Sequence, residues 1–358
     1  MRYIYAAFSA TMLAFLDISL SYAAPLTYSL VDLGPIVRAY GINNSGLVVG
    51  EAPGDGDRIY TWQNGEFSDF GIGRPTGINN SGVISGFDRL VSTEPMFHAA
   101  TWAGTKKIDL GTLGGANSFA NSINDHGQVV GLSQTDTNAY HATLWEAGNA
   151  IDLGTLGGIY GYASQATSIN NSGQIVGHSE GIKPSLDIHA TLWSEGTITD
   201  LGTLGGTASF AHSINDLGQI VGYSYTVGNS SYHATIWDNG IINDLGSIGT
   251  NPFDYTNSYA LDINSQQLIV GASAEKATLW YNGSPIAINT LLDATGAGWS
   301  LQVATAVNDS GFIVGYGQNP QLENHGFLLI PITPVPEPSI WLTMLIGIGV
   351  FISYKPSK

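Results

Sequence analysis

The sequence predicts an all-β fold: a seven-bladed β-propeller of four-stranded antiparallel blades, its ring closed by an N-terminal strand that joins the last blade. Three observations lead there. An Ile/Val-Asn step, a turn and an apolar strand recur at Asn43, Asn79, Asn124, Asn170, Asn215, Asn264 and Asn308. Each full copy, about 44 residues long, carries four strand signals, the pattern of a propeller blade. A stray copy of the fourth strand, residues 28–34, precedes the first unit, while the seventh unit runs into prolines and lacks its own.

The fullest copies justify each element in order. Around Asn215, strands are expected at residues 211–215, 219–224, 233–237 and 241–245. Asn215-Asp216-Leu217-Gly218 joins the first two, with Gly218 able to take the positive φ such a turn needs. Asp238-Asn239-Gly240 joins the last two and is a strong hairpin signal. The run Gln219-Ile-Val-Gly222 is too continuously apolar for a sheet with one wet face, so both faces must be covered. Blades stacked around an axis do this; a linear β-solenoid would too, but it needs end caps. In the seventh unit the expected strands are 303–308, 312–316 and 326–330. The leading strand then supplies the missing fourth and removes the exposed edges.

The ends read as addresses flanking a propeller at residues 26–331. Residues 1–23 resemble a secretory signal peptide: Arg2 is the positive charge, residues 6–20 are the apolar run, and Ser21 and Ala23 precede a cut between Ala23 and Ala24. In residues 332–358, Pro336-Glu337-Pro338-Ser339 precedes an apolar stretch, residues 340–354, and then Lys355 and Lys358. As a helix that stretch spans roughly 22 Å, short for a bilayer core of about 30 Å. It predicts a short transmembrane helix that anchors the chain transiently and serves as a sorting signal.

Composition narrows the function classes. The formal net charge is −17, and the 11 Lys and Arg form no stripe, which excludes a nucleic-acid partner. Without cysteine the chain has no disulfides, no thiol nucleophile and no thiolate zinc site.

Two resemblances add to this reading. Val335-Pro-Glu-Pro-Ser339, the apolar helix and the basic end resemble the PEP-CTERM sorting signal of Gram-negative bacteria, although two lysines stand where an arginine cluster is usual. That resemblance implies an exosortase-type sorting protease as partner, cleavage near Pro336, Glu337 and Pro338, delivery to the cell surface or extracellular matrix, and an association with exopolysaccharide. The repeat itself resembles the extracellular HAF repeat family through Asp-Leu-Gly-Thr-Leu-Gly-Gly, Ile-Asn-Asp-x-Gly-Gln-Val/Ile-Val-Gly and His-Ala-x-Leu-Trp. It departs at Thr143, Thr191 and Thr235, where the family name implies Phe. This second resemblance implies an extracellular location and a repeat architecture, not an activity.

Side chains with chemistry fall mostly on repeat positions. His98, His141, His189, His233 and His325 share one position, so a propeller spreads them around its ring, and a structural hydrogen bond to a neighbouring turn is expected. Asp32, Asp69, Asp109, Asp152, Asp200 and Asp244 are expected to accept from turn amides. Trp62, Trp102, Trp145, Trp193, Trp237 and Trp280 are expected between blades. Asp55-Gly-Asp57 is a weak calcium signal, and Gly111-Thr-Leu-Gly-Gly115 lacks the helix and lysine of a phosphate cradle. No metal and no cofactor is implied.

The loop between second and third strands varies most and is expected on the same face as the Gly-Gly connectors. Phe97, Tyr140, Tyr225 and Tyr232 are the candidate contacts there. The expected function is an exported, non-enzymatic binding or structural module that meets an extracellular polysaccharide or matrix protein. The alternative is a polysaccharide-active glycosidase or lyase, for which Glu94, Asp136, Asp187 and Asp254 are the off-repeat carboxylates.

Overall fold

The computed structural model describes residues 26–34, 36–52, 57–90, 96–104, 106–157, 163–181, 187–249 and 257–332. The signal cut at Ala23 and Ala24, the Pro336, Glu337 and Pro338 motif and the apolar stretch after it lie outside the described residues, as do Glu94 and Asp254. Among the described residues no helix is long and apolar enough to cross a membrane.

The chain is all-β. Its strands form four-stranded antiparallel units, each named here by the asparagine that follows its first strand. The Asn215 sheet consists of Gly205–Ile214, Ile220–Thr226, Tyr232–Asp238 and Ile241–Gly246. Its first strand starts earlier than the sequence suggests, because the Gly-Gly pair belongs to the strand rather than to a connector. A Cβ on Gly206 would stand 2.6 Å from the Tyr225 Cβ, so only glycine lets this segment lie flat on the second strand. Gly205 and Thr226 pair there, beside the loop between second and third strands, as the expected common face requires.

Five sheets are separate among the described residues; the Asn170 and Asn215 units are joined by a single parallel pair, Ile188 with Ala208. Each sheet packs on the next in chain order, and the first strand of the Asn43 sheet, Arg38–Ile42, packs on the last sheet. That last sheet has Ser300–Val307, Ile313–Gln318 and Asn324–Pro331 as consecutive strands, and Tyr28–Asp32 as its fourth. Tyr28 lies opposite Pro331 and Asp32 opposite Phe327, so the leading strand takes the place left empty in the seventh unit.

The core lies between sheets. Trp237 is 2% exposed and packs with Val176 and Ala190 of the preceding sheet and Ile214 and Ile220 of its own. Trp102, Trp145, Trp193 and Trp280 repeat this arrangement, while Trp62 is half-buried. Each buries roughly 200 Å², about 5 kcal/mol at 25 cal/mol per Å², which makes the inter-sheet tryptophan the largest single packing contribution in its repeat. Buried serines bridge the same gap: Ser209 Oγ accepts from the Ala190 N–H at 2.9 Å and donates to the Gly202 carbonyl at 2.7 Å.

Candidate functional site

The inner strands run from the Gly-Gly end to the repeated asparagine, so each sheet offers one end to either mouth of the axis. At the asparagine end each buried side chain clamps its own turn and the next sheet. Asn170 Oδ1 accepts from the Ser172 and Gln174 amides, and Nδ2 donates to the Asn215 carbonyl at 3.1 Å. The same Nδ2–carbonyl bond runs from Asn43 to Asn79, Asn124, Asn170, Asn215, Asn264 and Asn308, and from Asn308 back to Asn43 at 3.0 Å. The circuit has no free end.

The following residues make a second polar circle at this mouth, around a cavity of about 230 Å³. Asn80 N donates to Asp125, Asp125 N to Asn171, Asn171 N to Asp216, Ser265 N to Asp309 and Asp309 N to Asn44. Burial would raise Asp309, but hydrogen bonds from Ser265 and Asn44 outweigh it and hold the carboxyl below its ordinary range. Asp262, half-buried below this circle, is pushed up by burial although it accepts from Val307 N, Ser213 Oγ and Ile263 N. These polar groups are largely saturated by one another, which makes this mouth a clasp between sheets.

The Gly-Gly end differs. Five residues before the asparagine, roughly 16 Å along the strand, three sheets carry an aromatic, Phe119, Phe210 and Tyr259. Phe119 stands 5.8 Å from Phe97, 5.0 Å from Phe87 and 6.4 Å from Tyr140, ring centre to ring centre. Phe210 and Tyr223 stack at 4.9 Å, and Tyr223, Tyr225 and Tyr232 lie within 6.5 Å of one another. The four sequence candidates therefore divide into two clusters: Phe97 with Tyr140, and Tyr225 with Tyr232. All four are half-buried. Their partners Phe87, Phe119, Phe210 and Tyr223 carry no distinguishing sequence signal, because an aromatic on a regular strand looks like core.

His178 borders the second cluster, 4.9 Å from Phe210, and its enclosed Nδ1 has no hydrogen-bond partner among the described residues. Burial, helped by nearby His212, pushes it down to about 4, so it is a neutral imidazole. His212 is held down by burial too, and its Nδ1–H donates to the Ala260 carbonyl at 2.8 Å.

A cleft of about 550 Å³ opens between the first and last sheets, lined by Val37, Arg38, Glu51, Gln302, Tyr316 and Asn324. The Arg38 guanidinium lies 5.5 Å over the Tyr316 ring and 3.8 Å from Glu51. The Tyr40 phenol hydrogen-bonds both charged groups and is pushed up to about 12 by burial and by Glu51. These residues occupy ordinary repeat positions; the available sequence signal was departure from the repeat, a cation and an acid in the first copy facing a tyrosine in the last.

The repeated histidines pair with carboxylates rather than with turn backbone. His98–Asp109, His141–Asp152, His189–Asp200, His233–Asp244 and His325–Asp32 are 2.7 to 2.9 Å apart, and Arg58 takes the histidine's part with Asp69. The aspartates accept from turn amides as expected, for example Gly202 N to Asp200 at 2.8 Å. Asp136 is exposed beside Gly114, and Asp187 is half-buried just before the strand Ile188–Ser194 of another sheet; no hydrogen bond or ion pair joins them. Asp57 pairs with Arg74, and no group of three or more potential ligands is placed to hold a metal among the described residues.

No family model and no curated protein matches the chain. The fold is similar to that of solved β-propellers. The β-propeller domain of the Trilobed protease from Pyrococcus furiosus matches with a TM-score of 0.50 at 12% identity, covering 87% of this chain and 100% of that one. This shows the fold alone: propeller-like, four-stranded antiparallel sheets. That domain has an open velcro topology, whereas here Tyr28–Asp32 pairs with Asn324–Pro331. TolB from Acinetobacter baumannii (TM-score 0.42, 12% identity, 86% of this chain) is longer, and the chain spans 64% of it. The Aleuria aurantia lectin, in complex with α-methyl-L-fucoside, has a TM-score of 0.37 at 13% identity over 87% of this chain and 97% of that one.

Proposed function

We propose that the chain is a seven-bladed β-propeller, closed by its first strand, that serves outside the cytoplasm as a non-enzymatic module binding a polymer at its Gly-Gly face. The observation that carries the reading is the contrast between its two mouths. At one, asparagines and aspartates spend their hydrogen bonds on each other; at the other, half-buried aromatic rings stay open to solvent beside the most variable loops. Aromatic faces suit the apolar faces of sugars and the side chains of peptides. Export and sorting through an exosortase-type protease rest on the terminal sequences, and exopolysaccharide is the polymer those sequences favour.

The test is a panel of purified bacterial exopolysaccharides assayed for both binding and turnover. Saturable binding without product release, weakened about tenfold by joint Tyr225→Ala and Tyr232→Ala substitution, is expected. Release of shorter oligosaccharides, abolished by Asp136→Asn or Asp187→Asn, would replace this reading with the enzymatic one.

A further inference from the structure

We propose that the cleft between the first and last sheets is a second binding site, one that takes a neutral polyhydroxylated unit such as a hexose residue. Its volume, about 550 Å³, suits one or two sugar rings. Its chemistry is mixed and balanced. Glu51 offers two acceptor oxygens, Arg38 offers guanidinium donors, and Gln302 and Asn324 each offer both kinds through an amide with no side-chain partner among the described residues. A vicinal diol needs this alternation, since each hydroxyl donates once and accepts as well.

Charge decides against an ionic ligand. Arg38 and Glu51 cancel within 3.8 Å, so the cleft has no net attraction for either sign, and a chain at −17 repels anions at long range. The ion pair is also loose. Its separation is long, the Arg38 side chain is 57% exposed, and the Tyr316 ring and Tyr40 phenol hold the guanidinium in place without using its donors up. Such a group is oriented before any ligand arrives.

The other sheets lack this combination. At the register of Arg38 and Glu51 they carry Phe119 with Leu132, Gln165 with His178, Phe210 with Tyr223, and Tyr259 with Ala272. Arg74 faces Phe87 instead of an acid, and its guanidinium is occupied by Asp57. Among the described residues the polar set thus exists only at the seam, where a ligand touches both the sheet that begins the ring and the sheet that ends it. Binding there holds the two together and stabilises the pairing of Tyr28–Asp32.

The experiment titrates the full chain with maltohexaose, cellohexaose, mannohexaose and hexagalacturonate by calorimetry, and repeats it with Gln302→Ala, Asn324→Ala, Glu51→Gln and Tyr225→Ala. At least one neutral hexaose is expected to bind, with affinity falling about fivefold or more in each of the three seam variants. The bound sugar should also slow hydrogen exchange at the Leu30 and Val31 amides. Thermal unfolding of each variant separates lost binding from lost fold. Binding that responds to Tyr225→Ala and not to the seam variants overturns this proposal while leaving the Gly-Gly-face reading intact. Binding of hexagalacturonate alone, or of no hexaose, overturns it too.

Discussion

His325 Nδ1 lies 2.8 Å from the carboxylate of Asp32, a residue 293 positions earlier in the chain. It is the same pair that Asp200 and His189 make across consecutive strands. Locally the two cost the same to break, but at the seam the loss also loosens a strand held by no covalent neighbour. Asp32→Ala is expected to destabilise by about 1–2 kcal/mol, the usual value of a partly exposed hydrogen bond to a charged group. Hydrogen exchange should accelerate first in residues 28–32. Asp200→Ala should cost a similar amount without that local signature; equal exchange patterns in the two variants would contradict the seam's special weakness.

Asn170 supplies the sharpest test of the asparagine circuit. Asn170→Ala leaves two amides and one carbonyl unsatisfied in a site 3% exposed, so a loss of about 2–4 kcal/mol in urea unfolding is expected. Asn170→Asp should be worse at neutral pH, because an acceptor then faces the Asn215 carbonyl. A buried carboxyl of this kind titrates above its unfolded value, so this variant should recover relative to the parent as pH falls. An Asn170→Asp variant as stable as the parent at pH 7 would show that the Nδ2 donor contributes nothing.

Gly222 is required by close approach rather than by a turn. Its Cα backs onto the Phe210 carbonyl where the inner strand bulges between Ala211 and Ser213, and any Cβ there would overlap that oxygen. Gly222→Ala should cost at least about 2 kcal/mol through forced strand separation, read as a lowered thermal midpoint. Gly240→Ala, in an exposed turn at φ 76°, should cost less, about 1 kcal/mol.

His178 makes the fold acid-sensitive. Its value of about 4 in the folded chain, against 6.5 unfolded, means that the unfolded state binds the extra proton between those limits. Stability is therefore intact above pH 6.5 and lost as pH falls towards 4, by at most about 3 kcal/mol from this group, with His212 acting in the same direction. His233, raised by its hydrogen bond to Asp244, works oppositely: its contribution is present below pH 6.5 and fades as pH rises through its folded value. His178→Phe, the residue found at the same register in Phe87, should flatten the acid limb of stability plotted against pH. An unchanged limb would acquit this imidazole.

Much of this was legible from repetition. The turn asparagines, the inter-sheet tryptophans and the leading strand recur at fixed phase, and fixed phase implies equivalent environments. Asp32 was readable as a fourth-strand residue because it precedes Leu33 and Gly34 as Asp200 precedes Leu201 and Gly202. What escaped were contacts between unlike copies. Arg38 and Tyr316 touch because the first sheet lies against the last, and no local pattern couples positions so far apart. The aromatic clusters hid for a different reason: Phe119 and Tyr223 alternate correctly for a buried face, so nothing in the strand pattern set them apart from packing. The Gly-Gly pairs look like connectors because glycine usually breaks strands, whereas here it lets two backbones lie flat together.

The Ile332 N–H donates to the Thr27 carbonyl at 2.8 Å, so the described chain ends where it started. A polypeptide rejoined there through a short linker and cut between Gly181 and Asp187, whose backbones already meet at 2.9 Å, keeps every strand pairing described above. Only the location of the nick would change. In such a permuted molecule the weakest point would migrate from Tyr28–Asp32 to the sheet that received the new termini, making mechanical fragility a property of where synthesis begins rather than of any one blade.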